Sequence, residues 1–192
     1  MAQNDHELIQ KARRGDKMAF EQLVFRYDRQ VLSIAAKYTN NHDDAKDIYQ
    51  EVFLRVYKSL KNFESRSEFS TWLFRITTNV CITYHTNKQK RTHYSLDNEW
   101  ENNEGETMSF SDVIEGGDST DQQAINSEIA EHIHEAVNTL SPQQKMVFNL
   151  RHYHGYKLKE ISTMMNCTEG TVKKYLFTAV RRLRDQLKDI KE

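Results

Sequence analysis

The chain has few of the residues that interrupt a helix. It has one proline, Pro142, and six glycines among 192 residues. With strong helix formers between so few breakers, the sequence argues against an all-β or loop-rich fold and for an all-α one. Cysteine is scarce as well. Cys81 and Cys167 lie far apart and show no CxxC or Cys/His ligand spacing, so both read as reduced thiols. No apolar run approaches 18 residues and no signal-peptide pattern opens the chain, which reads as soluble and cytoplasmic. No P-loop, GxSxG or HExxH occurs. His132 and His134, like His152 and His154, are two residues apart and point to different sides of a helix. A metal-dependent hydrolase built on them finds no ligand set, so no cofactor, metal or catalytic constellation is expected.

What the chain has is segregated charge. Its net charge of −1 conceals 16 basic and 11 acidic residues in 1–91, none and nine in 92–121, and 11 and eight in 122–192. Two basic blocks flanking an acidic one suit contacts with a polyanion. The middle block, rich in Asn, Glu, Ser, Gly and Asp without helical periodicity, reads as a flexible linker. Its roughly 30 residues would span about 30 Å as a coil and about 100 Å if pulled straight. Trp100 and Phe110 default to solvated linker residues. The fold predicted is two small helical domains, 1–91 and 122–192, joined by the acidic linker.

Four helices are predicted before the linker. They run near Asp5–Arg14, ended by Gly15; near Lys17–Tyr38, capped by Asp16; near Asp43–Leu60; and from about Glu68 to Lys88, with Ser67 as N-cap. After it come helices near Gln122–Thr139, from Ser141-Pro142 to Tyr153, near Leu158–Met165, and near Glu169–Leu187 with Thr168 as N-cap. In the last, Val172, Leu176, Ala179, Val180, Leu183 and Leu187 share a sector of about 100°. The polar side carries Lys173, Lys174, Tyr175, Thr178, Arg181, Arg182 and Arg184. A short helix, the turn "NCTEGT" and this longer helix form a helix-turn-helix pattern, in which the second helix enters the major groove by its N-terminal end. An ordinary solvated basic face is the bland alternative. The turn and the amphipathic phase together favour DNA.

Four stretches, taken in order, resemble the small extracytoplasmic-function group of RNA polymerase sigma factors. "LIQKARRGDKMAFEQLVFRY" is similar to the family's opening. "DAKDIYQEVFLRVYKSLKNF" resembles its polymerase-binding segment, with Asp47, Gln50, Glu51 and Phe53 on its recurrent core. "SEFSTWLFRITTNVCITYHTNKQKR" resembles the segment that opens and reads the −10 promoter element. "LSPQQKMVFNLRHYHGYKLKEISTMMNCTEGTVKKYL" resembles the helix-turn-helix that reads the −35 element.

The resemblance implies a non-enzymatic initiation factor that binds core polymerase, promoter DNA and, as in much of the family, an anti-sigma partner. By the same resemblance, Ser65, Arg66, Ser67 and Asn79 would handle a flipped −10 base, and Arg75, Lys88, Lys90 and Arg91 would track the backbone. Trp72 is expected mainly in the core. Thr168, Thr171, Lys173, Lys174, Tyr175, Thr178 and Arg181 would face −35 DNA. The family commonly reads V-K-S-R-L-x-R-A on the reading helix; here Tyr175 and Thr178 stand at the usual Arg positions, which leaves the preferred DNA sequence open. The competing reading is a dimeric helix-turn-helix regulator that needs no polymerase.

Overall fold

The computed structural model describes residues 4–95, 132–133 and 135–188, with the backbone alone given for 89–95. Residues 92–95 of the predicted linker continue α4 instead, while 96–121, most of the predicted Gln122–Thr139 helix, and the side chains of Lys90 and Arg91 lie outside the described residues. Among the described residues every regular element is helical. They are α1 (Asp5–Arg13), α2 (Lys17–Thr39), α3 (His42–Ser59) with a 3₁₀ turn at Leu60–Asn62, α4 (Phe69–Ser95), α5 (Pro142–Phe148), α6 (Leu158–Met164) and α7 (Glu169–Gln186).

The local signals for the helix ends are realised as hydrogen bonds. The Asp16 carboxylate accepts from the Ala19 amide at 3.1 Å and starts α2. Asn40, with φ 53°, ends it in the left-handed conformation that Asn tolerates. Ser141 and Gln144 close a reciprocal capping box around Pro142 at the start of α5. Gly15 and Gly155 take φ of 97° and 70°, where a side chain would be strained. Two ends differ from the sequence reading. Helix α4 begins at Phe69, so Glu68 and not Ser67 precedes it, and it runs seven residues past Lys88. Helix α5 does not run evenly to Tyr153: from Asn149 it widens into a π turn.

Helices α1 to α4 pack around Leu8, Leu23, Val31, Ile34, Tyr38, Ile48, Val52 and Leu73, each at most 2% exposed. Phe63, Phe69 and Trp72 add a ring cluster at the α3–α4 corner, with centroids 4.8–5.9 Å apart. The largest departure from the sequence reading lies between the modules. Met146, Val147, Leu150, Ile161, Met164 and Val172 belong to the same core as α1 to α4, while Ala136, Val137, Leu140, Ala179 and Leu183 form a separate small cluster.

The seam between the modules has a polar layer too. The Tyr38 hydroxyl donates to the Pro142 carbonyl at 3.2 Å, and the Asn149 amide donates to the Ile34 carbonyl at 3.5 Å. Lys145, only 2% exposed, places its ammonium 2.7 Å from Asn138 Oδ1 and 5.3 Å from the Tyr38 ring centre. The module after the linker is thus seated on α2 and α4.

Candidate polymerase and nucleic-acid interface

Helix α3 turns Ala45, Ile48, Val52, Phe53 and Val56 inward. That leaves Asp47 and Gln50 exposed and Glu51 partly so. Stepping 100° per residue, Asp47, Gln50, Glu51 and Leu54 share a sector of about 100°. Arg55 Nε holds Glu51 Oε1 at 2.6 Å, one turn away. The pair is largely solvated and adds little to stability, but it fixes where the Glu51 carboxylate points. Phe53 is 8% exposed and stacks edge-on against Tyr49 at 4.8 Å, so it supports this face from beneath. The face also carries two residues that the sequence reading passed over. Leu54 is 47% exposed and Tyr57 52% exposed. An acidic and amide rim around exposed apolar side chains is what a protein partner with basic residues can bury.

The loop before α4 is anchored by Phe63, which is 5% exposed, and it presents Ser65, Arg66 and Ser67 to solvent. Ser65 takes φ 55°, and Arg66 Nε pairs with Glu64 Oε2 at 2.6 Å with both ends solvated. Trp72 is half-buried against Phe63 and Phe69, in keeping with a mainly core role. Arg75 and Asn79 sit one turn apart on α4. Asn79 is exposed. Arg75 is half-buried and donates from Nε to the Thr163 carbonyl at 3.4 Å. Lys88 reaches back to α3, with Nζ 2.7 Å from Asp44 Oδ2, while the Tyr84 hydroxyl donates to the other Asp44 oxygen at 2.8 Å. The structure thus gives Lys88 a bracing contact between helices that the sequence did not reveal.

The helix-turn-helix forms as predicted. The Met165 amide bonds the Ile161 carbonyl, the Cys167 amide bonds that of Ser162, and Asn166 turns at φ 51°. The Thr168 hydroxyl accepts from the Thr171 amide at 3.1 Å and lies 2.9 Å from the Thr171 hydroxyl, so these two side chains cap α7 and each other. Thr178 donates to the Lys174 carbonyl at 2.9 Å. Lys173, Lys174, Arg181 and Arg184 are exposed along α7. Arg182 is also exposed and reaches Gln144 Oε1 at 3.3 Å. Tyr175 differs from its predicted place on the outer face: it is half-buried against the main core. Phe177, 71% exposed, stands out from α7 instead. Among the described residues no three His, Cys, Asp or Glu side chains gather as metal ligands, and no helix is long and apolar enough to cross a membrane.

The Sigma-70 region 2 profile matches residues 23–91, and the Sigma-70 region 4 profile matches 130–183. The ECF RNA polymerase sigma factor SigW of Bacillus subtilis is 31% identical over 182 residues, 95% of this chain and 96% of its own. The chain belongs to the ECF group of the sigma-70 family. RNA polymerase sigma-H factor of Pseudomonas aeruginosa is 28% identical over 177 residues, 92% of this chain and 90% of its own. Two solved structures share the fold. CnrH, in complex with the cytosolic domain of CnrY, matches with TM-score 0.63 and 20% identity over 98% of this chain and 99% of that one. The sigma factor RpoE of Bartonella quintana matches with TM-score 0.62 and 22% identity over 88% and 96%. As an ECF sigma factor the chain is a promoter-specific initiation factor of RNA polymerase and not an enzyme.

Proposed function

We propose that this sigma factor docks on core polymerase through the outer face of α3 and reads promoter DNA through two separate surfaces. The observation that carries the docking role is the cluster of Asp47, Gln50, Leu54 and Tyr57, all exposed on one helix. Glu51 extends the acidic rim, and Phe53 keeps the helix seated. Residues 1–91 form the polymerase-binding and −10 module, with α4 carrying on to Ser95 before the linker, and 122–192 form the −35 module. The −10 surface comprises Ser65, Arg66 and Ser67 in the loop with Arg75 and Asn79 on α4. Asn79 reads the flipped base, since its amide can both donate and accept. Lys88, Lys90 and Arg91 are assigned to the DNA backbone by the family resemblance alone, since Lys88 lies half a turn round α4 from Asn79 and holds Asp44.

The −35 surface is the N-terminal half of α7. Lys173, Lys174 and Arg181 neutralise phosphates, while Thr168 and Thr171 shape the helix start that faces the groove. Thr178 and Tyr175 complete this side, Tyr175 by packing more than by contact. The protein acts in the cytoplasm, where polymerase and promoter are. The solved RpoE of Bartonella quintana is bound to the anti-sigma factor NepR, and a protein regulator of that kind is proposed for this chain as well.

Run-off transcription tests the assignment. Core polymerase of the native host is given genomic fragments with and without the chain. Discrete transcripts only in its presence are expected, and they should disappear with the Asp47→Ala/Glu51→Ala double variant. A gel shift of DNA by the pure protein, with no co-elution with polymerase, would point to a dimeric regulator instead.

A further inference from the structure

Two apolar side chains on α2 stand in water. Phe25 is 75% and Met18 65% exposed. Stepping 100° per residue from Met18, Phe25 and Leu32 fall within about 40° of it, on the side away from the buried Leu23, Val31 and Ile34. A single exposed apolar residue means little, but these three form a row, with Leu32 half-buried at one end. The row borders the docking face of α3. Phe20 of α2 meets the Tyr57 ring edge-on at 5.0 Å. Two turns further along α2, burial and after it the Asp28 carboxylate push the Tyr49 hydroxyl up, so 28 lies beside 49 as 20 lies beside 57. The two helices therefore run antiparallel, and this register sets Phe25 level with the turn from Gln50 to Leu54. Glu21, exposed, and Asp28, half-buried, lie about 40–60° round α2 from Phe25, on the side of Phe20 and hence of α3. They carry the acidic rim of Asp47 and Glu51 across the groove between the helices.

We propose that core polymerase lays a helical element along the groove between α2 and α3, and that Phe25 and Met18 are its second apolar anchor, across from Leu54 and Tyr57. The proposal rests on the docking role given above to α3. Continuity identifies the occupant. A helix packed on α3 lies about 8–10 Å from its axis, and Phe20 against Tyr57 makes α2 the next wall of the same groove. A partner that covers Leu54 and Tyr57 therefore reaches Phe25 without a second docking event. From Met18 to Leu32 is 14 residues, or about 21 Å at about 1.5 Å each, the length of a partner helix of about four turns. The chemistry it must present is apolar side chains along one face, buried against Phe25, Met18, Leu54 and Tyr57, with Lys or Arg at the edges facing Glu21, Asp28, Asp47 and Glu51.

Fluorescence anisotropy of the labelled full chain with core polymerase tests this. Phe25→Ala should weaken binding about tenfold and leave the circular dichroism melt unchanged, because the side chain is bare in the free chain. Phe25→Leu should recover most of the affinity. Met18→Ala should move affinity in the same direction and stands in if the Phe25 variant fails to fold. Glu21→Gln with Asp28→Asn should slow association at low salt and make no difference at high salt. Unchanged affinity in folded Phe25→Ala and Met18→Ala, beside a weakened Asp47→Ala/Glu51→Ala variant, would overturn the proposal and leave docking to α3 alone. If the α3 variant also binds as wild type does, the docking role of α3 falls and the proposal with it. Sedimentation of the free chain covers the other occupant: a dimer abolished by Phe25→Ala, with polymerase affinity unchanged, would give the row to a second copy and overturn the proposal.

Discussion

Asp47 and Leu54 show what a single position reveals in sequence and what it hides. Asp47 lies opposite the apolar stripe of α3, and its exposure follows from the helical period alone. Leu54 lies on the same side, but one apolar residue out of phase looks like noise until the exposed neighbours are in place. Replacing Asp47 and Glu51 together by Ala should weaken polymerase binding at least tenfold by fluorescence anisotropy, with an unchanged circular dichroism melt. Leu54→Ala should cost a similar amount, because its side chain sits inside the charged rim. Asn79→Ala should erase discrimination among −10 variants in run-off assays while leaving polymerase affinity as it was. Thr168 is legible in another way, as a cap before an apolar run. Thr168→Ala should lower stability by about 1 kcal/mol in a urea titration, and Thr168→Ser should restore it. Tyr175 was misplaced because its position is borderline between faces and the core it meets comes from elsewhere in the chain.

At the scale of the helix, starts were easier to read than ends. Asp16, Ser141 and Thr168 all cap where their side chains suggest. The end of α4 carried no such mark, since no glycine or proline follows Lys88 before residue 105, and the helix continued. The π turn after Phe148 was invisible because it preserves the apolar content and changes only the backbone pitch. For α7 the decisive property is its row of solvated cations. Lys173→Ala with Lys174→Ala should reduce the slope of log affinity against log salt by about 2, each phosphate contact contributing about 0.9. The slope, read from DNA anisotropy between low and physiological salt, separates phosphate neutralisation from a merely solvated basic face. An unchanged slope would remove both lysines from the interface.

At the scale of the whole molecule, all-helical architecture and two modules were legible, and their union was not. An acidic linker in sequence suggests independence. Nothing in the local pattern says that Tyr38 and Lys145, 107 positions apart, would be buried against each other. The seam also makes the fold sensitive to pH. Burial lowers Lys145 from its ordinary 10.5 to about 8, with Lys88 pushing the same way and Cys81 opposing. His85 is lowered by burial and by Lys145 and Lys88, and it faces the Tyr38 ring. His154 is lowered by burial and by Lys37, beside Tyr156. Lys88 itself is partnered by Asp44. All three groups bind protons less well in the folded chain than free in water. The folded state is therefore most favoured above pH 10.5, loses the Lys145 contribution as pH falls from 10.5 to about 8, and loses the histidine contributions as pH falls below 6.5. The urea midpoint should fall between pH 7.5 and 5.5, and replacing both histidines by Gln should flatten that change.

The order of the chain gives the shared core a consequence during synthesis. Helix α4 is described as far as Ser95, and Met164, whose carbonyl accepts from Thr78, comes 69 positions later. At roughly 5–20 residues per second, that interval lasts about 3–14 s. Throughout it, the Thr78 hydroxyl lacks its Met164 partner and keeps the Arg75 carbonyl of its own helix, 3.1 Å away. A nascent chain on the ribosome therefore completes α3 and α4 before the second module exists to pack against them.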